Sequence, residues 1–119
     1  MTAVLLVEDE AEVSDVIVDA LVRRGLTVRT AATDKDAFRI LEAEAAGLAL
    51  LIADINLGEG VTGFDVARRA RQLNDDLKVV YITGHAAHLD RFGVIHAVMF
   101  PKPFYPDELA DQVMSLLNA

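Results

Sequence analysis

The chain has 119 residues, 53% apolar and 25% charged, enough for one globular domain that buries a core without staples. It contains no cysteine, which excludes disulfides, thiolate metal centres and thiol catalysis. Eleven basic against nineteen acidic side chains leave a net charge of −8, a balance that disfavours nucleic acid and anionic membranes as partners.

Apolar runs and amphipathic stretches alternate along the chain. Val4-Leu5-Leu6-Val7 is the pattern of a strand covered on both faces. It begins so early that no signal peptide is expected, and no later run reaches the roughly 20 apolar residues of a membrane helix. A soluble, cytoplasmic domain is expected. From Glu10, the residues Val13, Val16, Ile17, Ala20 and Leu21 form one helical stripe, which Gly25 should end. Residues 26–32 suit an edge strand. Thr33 with Asp36 resembles a capping box opening a second helix, which buries Phe38, Leu41 and Ala45 and stops at Gly47.

Residues 48–53 form a buried strand that ends at Asp54, and a glycine-rich turn leads to a helix over 64–73. A strand at 78–83 follows, then a weak helical stretch at 85–92 ended by Gly93. A strand at 95–100 is stopped by Pro101-Lys102-Pro103. The last helix starts near Pro106 and buries Leu109, Val113, Leu116 and Leu117. Five strands alternating with about five helices predict a doubly wound parallel sheet with helices on both faces. The three most apolar strands belong in the centre, which gives the order 2-1-3-4-5 of a flavodoxin-like three-layer sandwich, with a short or irregular fourth helix.

In such sheets ligands sit beyond the carboxyl ends of the strands. Glu8, Asp9, Asp54, Thr83 and Lys102 collect there: three carboxylates, a hydroxyl and an ammonium. Three carboxylates repel one another unless a cation joins them, and a hard, sparsely liganded oxygen set suits Mg2+. With +2 from the metal and +1 from Lys102, the three acidic charges cancel. A carboxylate in that setting can attack phosphorus. Glu10 reads as a solvated charge near a helix start.

Val7-Glu8-Asp9, Ala53-Asp54-Ile55-Asn56-Leu57, Ile82-Thr83-Gly84 and Pro101-Lys102-Pro103-Phe104 together resemble the receiver domain of two-component response regulators, along the whole chain. The resemblance implies that Asp54 accepts a phosphoryl group from a histidine kinase or a histidine phosphotransfer protein. It also implies that Asp9 and Asp54 ligate Mg2+ directly, that Glu8 acts through water, and that Asn56 offers its backbone carbonyl. Thr83 and Lys102 would then hold the phosphoryl oxygens, and the Lys102-Pro103 peptide would be cis. The chain is read as a receiver over 1–119 with no output domain. It would signal through an unknown protein target, without nucleic acid or membrane, as a monomer or weak homodimer. Its only chemistry would be its own phosphorylation and dephosphorylation.

Several features depart from the family. Gly58 stands where proline is common, and Met99 stands where the switch aromatic is usual, with Phe100 on the opposite strand face. The interval from Thr83 to Lys102 is 19 residues, short by a few. The segment 58–63 also matches G-x-G-x-x-G, but it follows the third strand rather than the first and meets acidic neighbours, so dinucleotide binding is set aside. His85 and His88 make a poor metal pair, His96 reads as an edge-strand side chain, and Arg68, Arg69 and Arg71 read as a solvated face. Two alternatives stay open. One is an aspartyl-phosphate hydrolase of the haloacid dehalogenase type, although Asn56 occupies the position of its second acid. The other is a receiver-like module that is never phosphorylated.

Overall fold

The computed structural model describes residues 2–55, 63–84 and 96–118. Strands and helices alternate through them as β1 (Ala3–Val7), α1 (Ala11–Arg23), β2 (Thr27–Ala31), α2 (Asp34–Glu44), β3 (Leu48–Asp54), α3 (Gly63–Leu73), β4 (Lys78–Thr83), β5 (Ala97–Pro101) and α4 (Pro106–Leu117). A single 3-10 turn, Ala45–Gly47, joins α2 to β3. All pairings are parallel, in the order β2-β1-β3-β4-β5, as the strand hydrophobicity implied. The expected short helix at 85–92, Asn56 and the turn at 56–62 lie outside the described residues.

The two-residue period of the strands divides the core into two layers. Val4, Leu6, Leu50, Ile52, Val80 and Ile82 face α1 and α4, where Ile17, Leu21, Leu109 and Val113 cover them. Leu5, Val7, Leu51, Ala53, Val79 and Tyr81 face α2 and α3, against Leu41, Phe64, Val66 and Ala70. Met99 packs on this second layer and Phe100 on the first, so the two residues do point to opposite faces.

Local chemistry sets the element ends. The Thr33 hydroxyl accepts the Asp36 N–H at 3.1 Å and caps α2. Gly25 closes α1 at a φ of +86°. Asn74 was not singled out in the sequence, yet its side-chain amide donates to the Ala45 and Leu48 carbonyls at 2.9 and 3.2 Å, tying the end of α3 to the start of β3. The three arginines are used within the fold. Arg68 pairs with Asp65, Arg69 with Glu42, and Arg71 donates to the Leu77 carbonyl at 2.6 Å.

Two readings need correction. Val16 is 49% exposed rather than part of the buried stripe, because α1 seats Ile17, Ala20 and Leu21 on the sheet and turns Val16 away. His96 is not a strand residue. It occupies the turn before β5 with a φ of +58°, left-handed backbone that a ladder does not accommodate.

Gly63 opens α3 and donates its N–H to the Ile55 carbonyl at 3.1 Å. A Cβ there would stand 2.9 Å from the Asp54 carbonyl carbon and closer still to its oxygen, both rigid backbone. Gly63→Ala is therefore expected to lower stability by about 1–3 kcal/mol. Gly47→Ala, with nothing within 4 Å of the added methyl, should stay within about 0.5 kcal/mol of wild type in denaturant unfolding.

Candidate functional site

The ladders run one residue past the strands and so fix the backbone at the carboxyl edge. Glu8 N–H donates to Ala31 at 3.0 Å, Ile55 N–H to Ile82 at 3.1 Å and Lys102 N–H to Thr83 at 2.7 Å. Continuing the two-residue alternation, Glu8 follows Leu6, Asp54 follows Ile52 and Lys102 follows Phe100, so all three take the face shared with α1 and α4. Thr83 continues the Tyr81 row, one step beyond the Ile82 that pairs with Asp54.

These residues meet. Lys102 Nζ donates to Asp54 Oδ2 at 2.8 Å and to Glu8 Oε1 at 3.1 Å. Glu8 is 2% exposed, Asp54 3% and Thr83 1%, while Asp9 is open to solvent. Carboxylate oxygens of Glu8, Asp9 and Asp54 lie within 4.8 Å of one another, the one such grouping of metal-ligating side chains among the described residues. The turn that carries Lys102 is held by an edge-to-face contact between Phe100 and Phe104, with centroids 5.3 Å apart. The Lys102-Pro103 peptide within it is cis, as the resemblance implied.

The charges are strained by burial. Desolvation, reinforced by a hydrogen bond and charge repulsion from Asp54, pushes the Glu8 carboxyl up to about 7, with Lys102 offsetting only part of this. Burial by itself would lower the Lys102 ammonium, yet hydrogen bonds and charge from Asp54 and Glu8 hold it above its ordinary value. Glu8 Oε2 is buried and has no hydrogen-bond partner among the described residues, an arrangement that leaves a costly lone pair unsatisfied. An orphaned carboxylate oxygen beside two further hard oxygen donors fits a small divalent cation, and Mg2+ in particular because it keeps several waters.

Glu10 is exposed, as its reading as a solvated charge implies, but its contact with Lys102 was not legible in the sequence. It is the residue before α1, and its Oε1 lies 3.9 Å from Lys102 Nζ. Its spacing signals only its place: two residues beyond Glu8, the chain is still crossing the same sheet edge. Beside it runs an apolar groove of about 450 Å³ lined by Val13, Val16, Pro103, Phe104 and Pro106.

The model of the response regulator receiver domain family matches residues 4–114. The response regulator receiver protein CpdR of Brucella abortus is 32% identical over 122 residues, covering all of this chain and 99% of that protein. Other curated relatives are longer, and the chain spans about half of their length or less. A receiver protein structure from Sinorhizobium medicae superposes with a TM-score of 0.91 at 31% identity, over 99% of this chain and 95% of that one. The response regulator TrrA of Thermotoga maritima, solved in complex with Mg2+-BeF, gives 0.78 at 25% identity over 98% and 99%.

Because Glu8 titrates near 7 in the folded chain and near 4.5 ordinarily, the folded state holds more protons between those values. Stability therefore falls as pH rises through that window. In EDTA, thermal melts from pH 4.5 to 8 should show Glu8→Gln gaining on wild type as pH rises, by a few kcal/mol at the upper end.

Proposed function

The chain belongs to the response regulator receiver domain family of two-component signalling, and from that premise we propose that Asp54 is its phosphoacceptor. The observation that carries this is a buried carboxylate with an ammonium at 2.8 Å and two further carboxylates within 4.8 Å. Receiver domains are phosphoacceptors that interact with histidine kinases or phosphotransfer proteins. Here an Asp54 oxygen forms the bond to phosphorus as the phosphorus–nitrogen bond of a phosphohistidine breaks, and the freed imidazole nitrogen takes a proton. Lys102 pairs with the phosphoryl oxygens, and Thr83 donates its hydroxyl to one of them. Glu8, Asp9 and Asp54 would hold Mg2+, and the family resemblance implies the Asn56 carbonyl as a further donor. The metal supplies charge neutralisation for the transferred group.

The product, an acyl phosphate, would add a charge of about −1.5 to −2 at the sheet edge if it resembles other phosphorylated side chains. Such a charge alters how the edge meets protein partners, which is the means of a switch rather than of an enzyme acting on other molecules. We infer that the donor docks on the groove beside Lys102. It is lined by Val13, Val16, Pro103, Phe104 and Pro106 together with Glu10 and Lys102, so a helix with an apolar stripe complements it.

Incubation with acetyl phosphate and Mg2+, followed by intact mass, should show one added phosphoryl group, absent in Asp54→Asn and in EDTA. No uptake by wild type from acetyl phosphate or from a panel of kinases would favour a module that is never phosphorylated. Val16→Glu should leave uptake from acetyl phosphate unchanged. It should slow transfer at least about tenfold from whichever purified kinase serves wild type, since a charge then enters the groove floor.

A further inference from the structure

Lys102 serves three carboxylates of two kinds. Its Nζ lies 2.8 Å from Asp54 Oδ2 and 3.1 Å from Glu8 Oε1, both buried and both in the grouping that fits a cation. It also lies 3.9 Å from Glu10 Oε1, which is exposed, stands at the N-terminal boundary of α1 and is not in that grouping. The ammonium thus already neutralises oxygens on which a divalent ion would draw. Two cations cannot both take full charge from Glu8 and Asp54 at such distances without strong mutual repulsion. Glu10 offers the displaced charge a partner that the ion does not need.

We propose that Lys102 and a divalent ion compete for Glu8 and Asp54, and that Glu10 is the positioning residue that receives the ammonium as it gives up Glu8. This rests on reading Glu8, Asp9 and Asp54 as the cation site. Lys102 would remain at the mouth of the site when the ion binds, held near Glu10 where arriving phosphoryl oxygens need a positive charge. Glu10 acts through Lys102 alone and touches neither the ion nor the phosphoryl group. The arrangement is a negative coupling between two cations, and Glu10 reduces its size.

The test is calorimetric titration of the full chain with MgCl2 at about 0.15 M salt, where an exposed charge acting through solvent is largely screened. Lys102→Met should bind Mg2+ about tenfold more tightly than wild type, because the competitor is gone. Glu10→Gln should bind it roughly two- to fivefold more weakly, the scale of one exposed ion pair. In the Lys102→Met background, Glu10→Gln should change affinity less than about 1.5-fold. Unchanged or weaker binding by Lys102→Met overturns the competition. A Glu10 effect that persists without Lys102 overturns the positioning role, since Glu10 would then act on the ion directly. If circular dichroism shows Lys102→Met unfolded, Lys102→Gln replaces it, and Glu10→Gln must still weaken binding by itself. Absence of Mg2+ binding by wild type would overturn the cation site itself. Phosphoryl uptake with lost competition would leave the phosphoacceptor reading standing.

Discussion

Two carboxylates, Glu8 and Asp54, are buried side by side at the edge of a parallel sheet, and the electrostatic cost of holding them there governs the rest of the molecule's functional end. Water cannot screen them, so a positive charge must come from within the fold or be bound from outside. Lys102 meets part of the demand, with hydrogen bonds to both. The raised Glu8 carboxyl and its second oxygen, without a partner among the described residues, mark what one ammonium leaves unmet. A site balanced in this way has affinity for a divalent cation built into its desolvation.

Topology explains why a lysine does this. Glu8 ends β1 and Asp54 ends β3, neighbours in the sheet, but Lys102 follows β5 at the far edge, with β4 between β5 and β3. Strands about 4.8 Å apart put β5 roughly 10 Å from β3. Reaching across requires a long side chain and a turn that leans inward. The Lys102 N–H bond to the Thr83 carbonyl, the cis Lys102-Pro103 peptide and the Phe100–Phe104 contact together define that turn. On the β3 side, Gly63 packs so close to the Asp54 backbone that no side chain fits between α3 and β3 there.

Much of this was legible beforehand, for reasons that can be named. Strands β3 and β4 are continuous apolar runs bounded by polar residues, and they fall where the runs fall. The cap of α2 was legible because a hydroxyl three residues before a free N–H is a local geometry. Val16 was misread because helical periodicity admits a stripe several residues wide, and only the seat of α1 on the sheet selects which of them are covered. His96 was misread because a single left-handed residue leaves no periodic trace. The contact of Glu10 with Lys102 and those of Asn74 with Ala45 and Leu48 leave no local trace because the partners are distant in sequence.

The order of residues along the chain determined the alternation of elements, the sheet order and the set of acids, hydroxyl and amine gathered at one edge. These follow from period and composition, which act over a few neighbouring residues. Only the folded arrangement decided that Lys102 divides its charge among Glu8, Asp54 and Glu10, that one Glu8 oxygen is left without a partner among the described residues, and that Val16 lines a groove beside them. Those outcomes depend on angstrom-scale distances between strand ends. Such distances are set by ladder register, strand spacing and helix seating, none of which is written in any single stretch of sequence.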